Sequence, residues 1–217
     1  MFPSKRAVAF LILAAAVFAI AAQQFLGEGH AIDRLLLAGL PEPGPSAQPI
    51  GPYRLRELAW SMTALGAPTL VALIGLAAAG GLVLARRSGA AVFLVATVGS
   101  GAALTIVLKR IFGAVRPHHS IGEDGEFLFN TSFPSGHAML ATLLAFTLAI
   151  VFVQVARPGR ALAAYAFAIA ALVSLGVGAS RWYLGLHWPS DALAGWSAGG
   201  AWVVICSAIW ARSRATF

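Results

Sequence analysis

Six apolar stretches, each long enough or nearly long enough to span a membrane, alternate along the chain with polar connections. The stretches cover residues 7–26, 60–85, 90–108, 138–156, 161–179 and 192–211. None has an acidic residue in its interior, and about 20 helical residues cross a hydrocarbon core about 30 Å thick. The pattern therefore predicts an all-α fold: a polytopic membrane bundle of six transmembrane helices, forming a single membrane domain over residues 1–217.

The composition agrees with a membrane protein. The 217 residues are 59% hydrophobic and only 11% charged, which excludes a soluble globular domain. The apolar runs are also longer than the strands of a membrane barrel, which need about 9–11 residues. The net charge of +7 comes from 15 basic and 8 acidic residues scattered between the runs, so the expected partner is the lipid bilayer and not nucleic acid. The single cysteine, Cys206, excludes an internal disulfide and a cysteine-based zinc site.

Basic residues are distributed unevenly between the two sets of connections. Those connections that lack acids carry eight of them, namely Lys5, Arg6, Arg86, Arg87, Arg157, Arg160, Arg212 and Arg214. In a chain with six spans these connections share one side, and the positive-inside rule predicts that this side, with both termini, is cytoplasmic. The opposite face would be the periplasmic face of the cell (inner) membrane. A cleavable signal peptide ending near Ala21 is an alternative for the first stretch, and it would leave five spans in the same orientation.

Most of the remaining polar chemistry lies in two predicted extracytoplasmic loops, at about residues 109–137 and 180–191. Lys109, Arg116 and Arg181 supply three cations there. The planar guanidinium groups of the two arginines can each hold two phosphate oxygens, whereas the lysine acts as a point charge. The two loops are therefore predicted to form a site for phosphate.

Ser135, Gly136 and His137 follow Pro134 directly before the fourth apolar stretch. This order is typical of a helix start, with Ser135 as the N-cap and Gly136 allowing a ligand to approach the backbone closely. Free amides at a helix N-terminus favour an anion. His137, at the same helix start, can give a proton to a leaving oxygen.

His187 and Asp191 are four residues apart, around a predicted helix start near Pro189. At this spacing the carboxylate can reach back to one imidazole nitrogen. The other nitrogen is then unprotonated and points outward, as a nucleophile requires.

These groups resemble the three-part signature of the type 2 phosphatidic acid phosphatase superfamily, with every signature position matched. The three parts are Lys109-x6-Arg116-Pro117, Pro134-Ser135-Gly136-His137 and Ser180-Arg181-x5-His187-x3-Asp191. The resemblance extends from about the second span to the end of the chain. It implies an integral membrane lipid phosphatase, similar to compact bacterial members, with six spans and an extracytoplasmic site.

The resemblance also implies a role for each signature residue. His187 would be the nucleophile that forms a phosphohistidine, and Asp191 would orient it. His137 would protonate the departing group and then act as the base for water. The phosphoryl oxygens would be held by the other signature residues, Lys109, Arg116, Ser135, Gly136 and Arg181. Neither a metal ion nor another cofactor is implied.

Several of these features have simpler interpretations. The basic residues near position 109 can anchor the third span at the headgroups, and the His187–Asp191 pair can be a structural hydrogen bond. His118 and His119, together with His137, His187 and Asp191, suggest a zinc site, although the neighbouring cations would repel a divalent ion. The convergence of all the groups on one membrane face favours the phosphate site.

The sequence thus predicts metal-independent hydrolysis of a lipid phosphate, either a monoester or a diphosphate, at the extracytoplasmic face. Candidate substrates are phosphatidylglycerol phosphate, undecaprenyl diphosphate and phosphatidic acid. The alternatives are a lipid- or phosphate-binding transporter and haloperoxidase-like vanadate chemistry, but a transporter has no need of the histidines, and those haloperoxidases are soluble. Gly195 and Gly199 permit close helix packing within the bundle or between subunits, which leaves the oligomeric state open.

Overall fold

The computed structural model describes residues 5–26, 33, 51–112 and 131–215. These residues form seven helices and no strand, so this part of the chain is all-α, as predicted. The helices are α1 (Lys5–Leu26), α2 (Tyr53–Ala64), α3 (Pro68–Leu84), α4 (Ser88–Phe112), α5 (Gly136–Ala156), α6 (Arg160–Tyr183) and α7 (Pro189–Ala215).

Four of these helices, α4 to α7, are long and apolar enough to cross a membrane. The pair α2 and α3 passes the same test jointly, with a bend of 55° between the two helices. The apolar part of α1, Ala7–Gln23, is shorter than a full span. The described residues therefore support a multi-pass membrane protein, while six spans with cytoplasmic termini stay a prediction.

The second apolar stretch is not the continuous helix that the sequence suggests. Its helix ends at Ala64, and a new helix begins at Pro68. Proline lacks an amide hydrogen and disfavours a helical conformation at the preceding residue, which explains the extended backbone of Ala67 (ψ 134°). A Cβ atom on Gly66 would lie 2.6 Å from the carbonyl oxygen of His137, so the bend brings this connection against the start of α5.

Helix α7 crosses α5 at two glycines. A Cβ atom on Gly195 would lie 2.7 Å from the carbonyl oxygen of Ser135, and one on Gly199 would lie 3.0 Å from that of Met139. Any larger residue would push these backbones apart. The sequence allowed this glycine pair to support packing within the bundle or between subunits. In the structure it supports packing within the bundle, where it holds the starts of α5 and α7 together.

Three aromatic rings support the segment before α5. Phe18 of α1, Phe112 of α4 and Phe133 have ring centroids 4.9–5.8 Å apart in edge-to-face arrangements. Phe133 is fully buried. Such pairs stabilise a fold beyond the burial of their area alone. Helix α1 and the end of α4 are thereby packed against the segment that leads into the start of α5.

Candidate active site

The signature segments at the starts of α5 and α7 lie against each other. The amide of Ser135 donates to the carbonyl oxygen of Asp191 over 2.9 Å. Ser135 is the N-cap of α5, and its hydroxyl accepts from the amide of Ala138 at 3.5 Å. His137 is the second residue of that helix and is partly exposed. Two segments more than 50 residues apart in sequence therefore form one wall of a site.

His187 and Asp191 form a buried pair at the start of α7. Nδ1 of His187 lies 3.1 Å from Oδ2 of Asp191, and the imidazole is 2% exposed. The same Oδ2 accepts from the amide of Trp188 over 2.9 Å. The carboxylate thus engages Nδ1, which leaves Nε2 as the nitrogen that can carry an unshared electron pair.

Ser132 also belongs to this pair, although the sequence did not indicate it. Its hydroxyl donates to Oδ2 of Asp191 and lies 3.3 Å from Nδ1 of His187. Ser132 is fully buried. No spacing rule connects a serine to a carboxylate 59 residues later, so only the fold could reveal the contact.

Two of the three predicted cations lie in the described part of the site. Lys109, in the last turn of α4, donates to the carbonyl oxygen of Thr131 over 2.5 Å. Arg181, in the last turn of α6, donates from Nη1 to the hydroxyl of Thr63 at 3.3 Å, and its carbonyl oxygen accepts from the amide of His187 at 3.2 Å. Both side chains are buried, so their charges act at short range in a medium of low polarity.

Thr63 is a second residue that the sequence did not indicate. It lies buried near the end of α2, directly before the bend that leads to α3. Its contact with Arg181 ties the bent pair of helices to the cationic side of the site. The bend therefore contributes to the site through Thr63 as well as through Gly66.

Burial lowers the pKa of His187 from its ordinary value of 6.5 to about 4. The hydrogen bond and the charge of Asp191 oppose this shift, whereas the positive charges of Arg181 and Lys109 add to it. The imidazole is therefore neutral near pH 7. A neutral imidazole with one engaged nitrogen can attack an electrophile.

Three other residues considered from the sequence, Arg116, His118 and His119, lie outside the described residues. Within residues 5–26, 33, 51–112 and 131–215, no group of three or more His, Cys, Asp or Glu side chains is arranged to hold a metal ion. The structure places Lys109, Ser135, Arg181, His187 and Asp191 around one end of the bundle, with Gly136 and His137 at the adjoining helix start.

Residues 90–215 match the PAP2 superfamily. This range is more than half of the chain and contains the signature residues described above. The chain belongs to the PAP2 superfamily. Its membership confirms the resemblance seen in the sequence and makes it a membrane phosphatase.

Named relatives agree with this assignment. Phosphatidylglycerophosphatase B of Bacillus subtilis (strain 168) is 29% identical over 146 residues, which are 67% of this chain and 70% of that protein. Lipid A 1-phosphatase of Rhizobium etli is 31% identical over 133 residues, 58% of this chain and about half (52%) of that protein. The crystal structure of a transmembrane PAP2 type phosphatidylglycerolphosphate phosphatase from Bacillus subtilis has a TM-score of 0.71 at 24% identity, over 98% of both chains, and shows the same fold.

The low pKa of His187 predicts how this histidine titrates. We expect it to stay neutral from pH 8 to about 5 and to bind a proton near pH 4. Between pH 6.5 and about 4 the unfolded chain binds this proton and the folded chain does not, so this group makes the fold less stable as the pH falls. Histidine ¹³C NMR in detergent would follow the titration, with His187→Gln assigning the signal. A midpoint at 6.5 or above would contradict the prediction, and Asp191→Asn should lower the midpoint further.

Ser132→Ala should slow the PAP2 phosphatase reaction without unfolding the protein. Hydrogen bonds to charged groups contribute about 1.5–3 kcal/mol, so we expect kcat to fall by roughly 10- to 100-fold. Ser197→Ala is a matched control, because that hydroxyl donates to the carbonyl oxygen of Ala194 within its own helix. Steady-state rates and thermal unfolding of both variants would be compared. Equal rates for the two variants would show that Ser132 does not support the His187–Asp191 pair.

Proposed function

We propose that this phosphatase removes a monoester phosphate, or the terminal phosphate of a diphosphate, from a membrane lipid through a phosphohistidine at His187. The observation that carries the proposal is the buried, neutral His187, whose Nδ1 is engaged by Asp191. The buried cations Lys109 and Arg181 lie beside it. An uncharged nucleophile among positive charges suits a doubly negative phosphate ester.

The reaction would take two steps. In the first, Nε2 of His187 attacks phosphorus, the bond from phosphorus to the lipid oxygen breaks, and His137 gives that oxygen a proton. Asp191 stabilises the positive charge that develops on the imidazole. In the second, His137 takes a proton from water, the water oxygen attacks phosphorus, and the phosphorus–nitrogen bond breaks. Inorganic phosphate leaves, and both histidines return to their starting states.

The phosphoryl oxygens would be stabilised by fixed positive groups. Lys109 and Arg181 supply charge, and Arg116 would add a second guanidinium group. The amides at the start of α5, at Gly136 and His137, together with the dipole of that helix, favour an anion at the same place. Preorganised charge of this kind is usually the largest contribution to phosphoryl transfer. The proposed chemistry therefore needs no metal ion.

An apolar groove supports a lipid as the substrate. It has a volume of about 490 Å³ and lies between α3, α5 and α6, with Leu65, Ile74, Leu144 and Tyr165 among its lining residues. Leu65 adjoins Gly66, which packs against the backbone of His137. A hydrocarbon chain in this groove would lie in the membrane while its phosphate reached the site.

We place the site on the periplasmic face of the inner membrane. The short turns at residues 85–87 and 157–159 lie at the end of the bundle opposite the site, and they contain Arg86, Arg87 and Arg157. Positive connections stay cytoplasmic, so the site would face outward. The names of the Bacillus subtilis relatives favour phosphatidylglycerol phosphate as the substrate. Undecaprenyl diphosphate and phosphatidic acid are the other candidates from the sequence.

The proposal is tested by phosphate release from these three lipids in detergent, with EDTA present. We expect turnover of at least one lipid to persist in EDTA and to vanish in His187→Ala, because the bond-forming atom is lost. His137→Ala should lower kcat by about 10²- to 10⁴-fold, the usual contribution of general acid–base catalysis. It should slow phosphoenzyme formation less with an aryl phosphate, whose leaving group needs little protonation.

His30→Ala is the control, because this histidine of the first predicted loop lies outside the described residues and no role is proposed for it. Activity that EDTA removes and zinc or magnesium restores would contradict the metal-free mechanism. Full activity in His187→Ala would exclude His187 as the nucleophile. Binding of a lipid phosphate by the wild-type protein without any release of phosphate would favour the transporter.

A further inference from the structure

One buried acid outside the PAP2 signature contacts the start of α7. Asp33 lies in the connection between α1 and α2, 157 residues before Ser190. Its Oδ1 accepts from the amide of Ser190 over 2.8 Å, and its Oδ2 accepts from the hydroxyl of Ser190 over 2.6 Å. Asp33 is 1% exposed. Removing a carboxylate from water costs free energy unless hydrogen bonds replace those to water. The two hydrogen bonds from Ser190 offset that cost for Asp33.

The contact satisfies an amide that the helix itself leaves without a partner. Trp188 is the N-cap of α7, because its carbonyl oxygen accepts from the amide of Ala192 at 3.4 Å. The next residue, Pro189, has no amide hydrogen. The amide of Asp191 bonds back to the carbonyl oxygen of Trp188 at 3.0 Å. Among the first three helical residues, the amide of Ser190 is therefore the one that needs an outside acceptor, and Asp33 supplies it.

Ser190 also lies between the two members of the catalytic pair in the sequence. His187 lies three positions before it, in the turn that precedes the helix, and Asp191 follows it directly. The side chain of Asp191 is already used by His187, Ser132 and the amide of Trp188. A second carboxylate at Ser190 holds the helix start without competing for that oxygen.

We propose that Asp33 is a positioning residue, which fixes the first turn of α7 through Ser190 and thereby keeps Asp191 in line with Nδ1 of His187. The proposal rests on the proposed role of His187 as nucleophile. Asp33 bonds to Ser190 and is not assigned to the phosphate or to the histidine. It adds the connection between α1 and α2 to the elements that the reaction requires, beyond the three signature segments.

Asp33→Ala should lower kcat for a lipid phosphate by about 10-fold, because small displacements of a reacting group cost large factors in rate. KM should stay within about twofold, because Asp33 has no role in holding the substrate in this account. Asp33→Asn should restore most of kcat, since the amide oxygen can accept from Ser190 and its nitrogen can donate to the hydroxyl. The double variant Asp33→Ala with Ser190→Ala should be no slower than Asp33→Ala alone, because Asp33→Ala already removes the hydrogen bond made by the hydroxyl of Ser190.

Glu57→Gln is the matched control, because it removes an exposed acid of α2 and should leave both constants unchanged. Thermal unfolding and helical circular dichroism would be measured for every variant. If Asp33→Ala does not fold, Asp33→Asn and Ser190→Ala test the role of Asp33 instead. We expect a near-normal kcat in Asp33→Asn. We expect a two- to threefold loss of kcat in Ser190→Ala, about the effect of one weakened contact.

An unchanged kcat in folded Asp33→Ala, or a change confined to KM, would overturn the positioning role. So would an Asp33→Asn enzyme as slow as Asp33→Ala, because charge and not hydrogen bonding would then matter. Wild type and His187→Ala are assayed in parallel. If His187→Ala is active, the proposed function fails; if it is inactive and Asp33→Ala matches wild type, only the role of Asp33 fails.

Discussion

The buried carboxylate of Asp191 is the interaction on which the site depends. One of its oxygens accepts from the hydroxyl of Ser132 and the amide of Trp188, and it engages Nδ1 of His187. A carboxylate removed from water is stable only with such partners, so the segment before α5 and the turn before α7 must converge on it. Burial at this point keeps His187 neutral, and the contact of Nδ1 with Asp191 leaves Nε2 as the nitrogen that attacks in the proposed reaction. The fold and the chemistry therefore share one requirement.

The packing around this carboxylate explains the positions of several residues that hydropathy alone does not distinguish from their neighbours. Gly195 lets α7 approach the backbone of Ser135, and Gly66 lets the bend between α2 and α3 approach that of His137. The bend also presents Thr63 to Arg181. Close backbone contacts at these glycines thus bring the helix starts of the site together, and side-chain hydrogen bonds such as that of Thr63 add to them.

The all-α membrane character could be predicted because one property, side-chain hydropathy, governs both helix burial and membrane insertion. The break before Pro68 could not, because a proline in an apolar run is compatible with a kinked span and with two helices, and packing decides between them. Within the site, the spacing of His187 and Asp191 around a helix start near Pro189 predicted their contact, since a carboxylate in the first turn can reach back to a residue that precedes the helix. Ser132 and Asp33 were not predicted, because their contacts join positions 59 and 157 residues apart.

In the proposed reaction, Asp191 engages Nδ1 of His187 so that Nε2 attacks phosphorus. The most direct test is to quench the enzyme rapidly during turnover of a lipid phosphate and to identify the phosphorylated atom by ³¹P NMR and peptide mass spectrometry. We expect a phosphohistidine at position 187 with phosphate on Nε2. Phosphate on Nδ1, phosphate on another residue, or no phosphoenzyme at any time during turnover would contradict it.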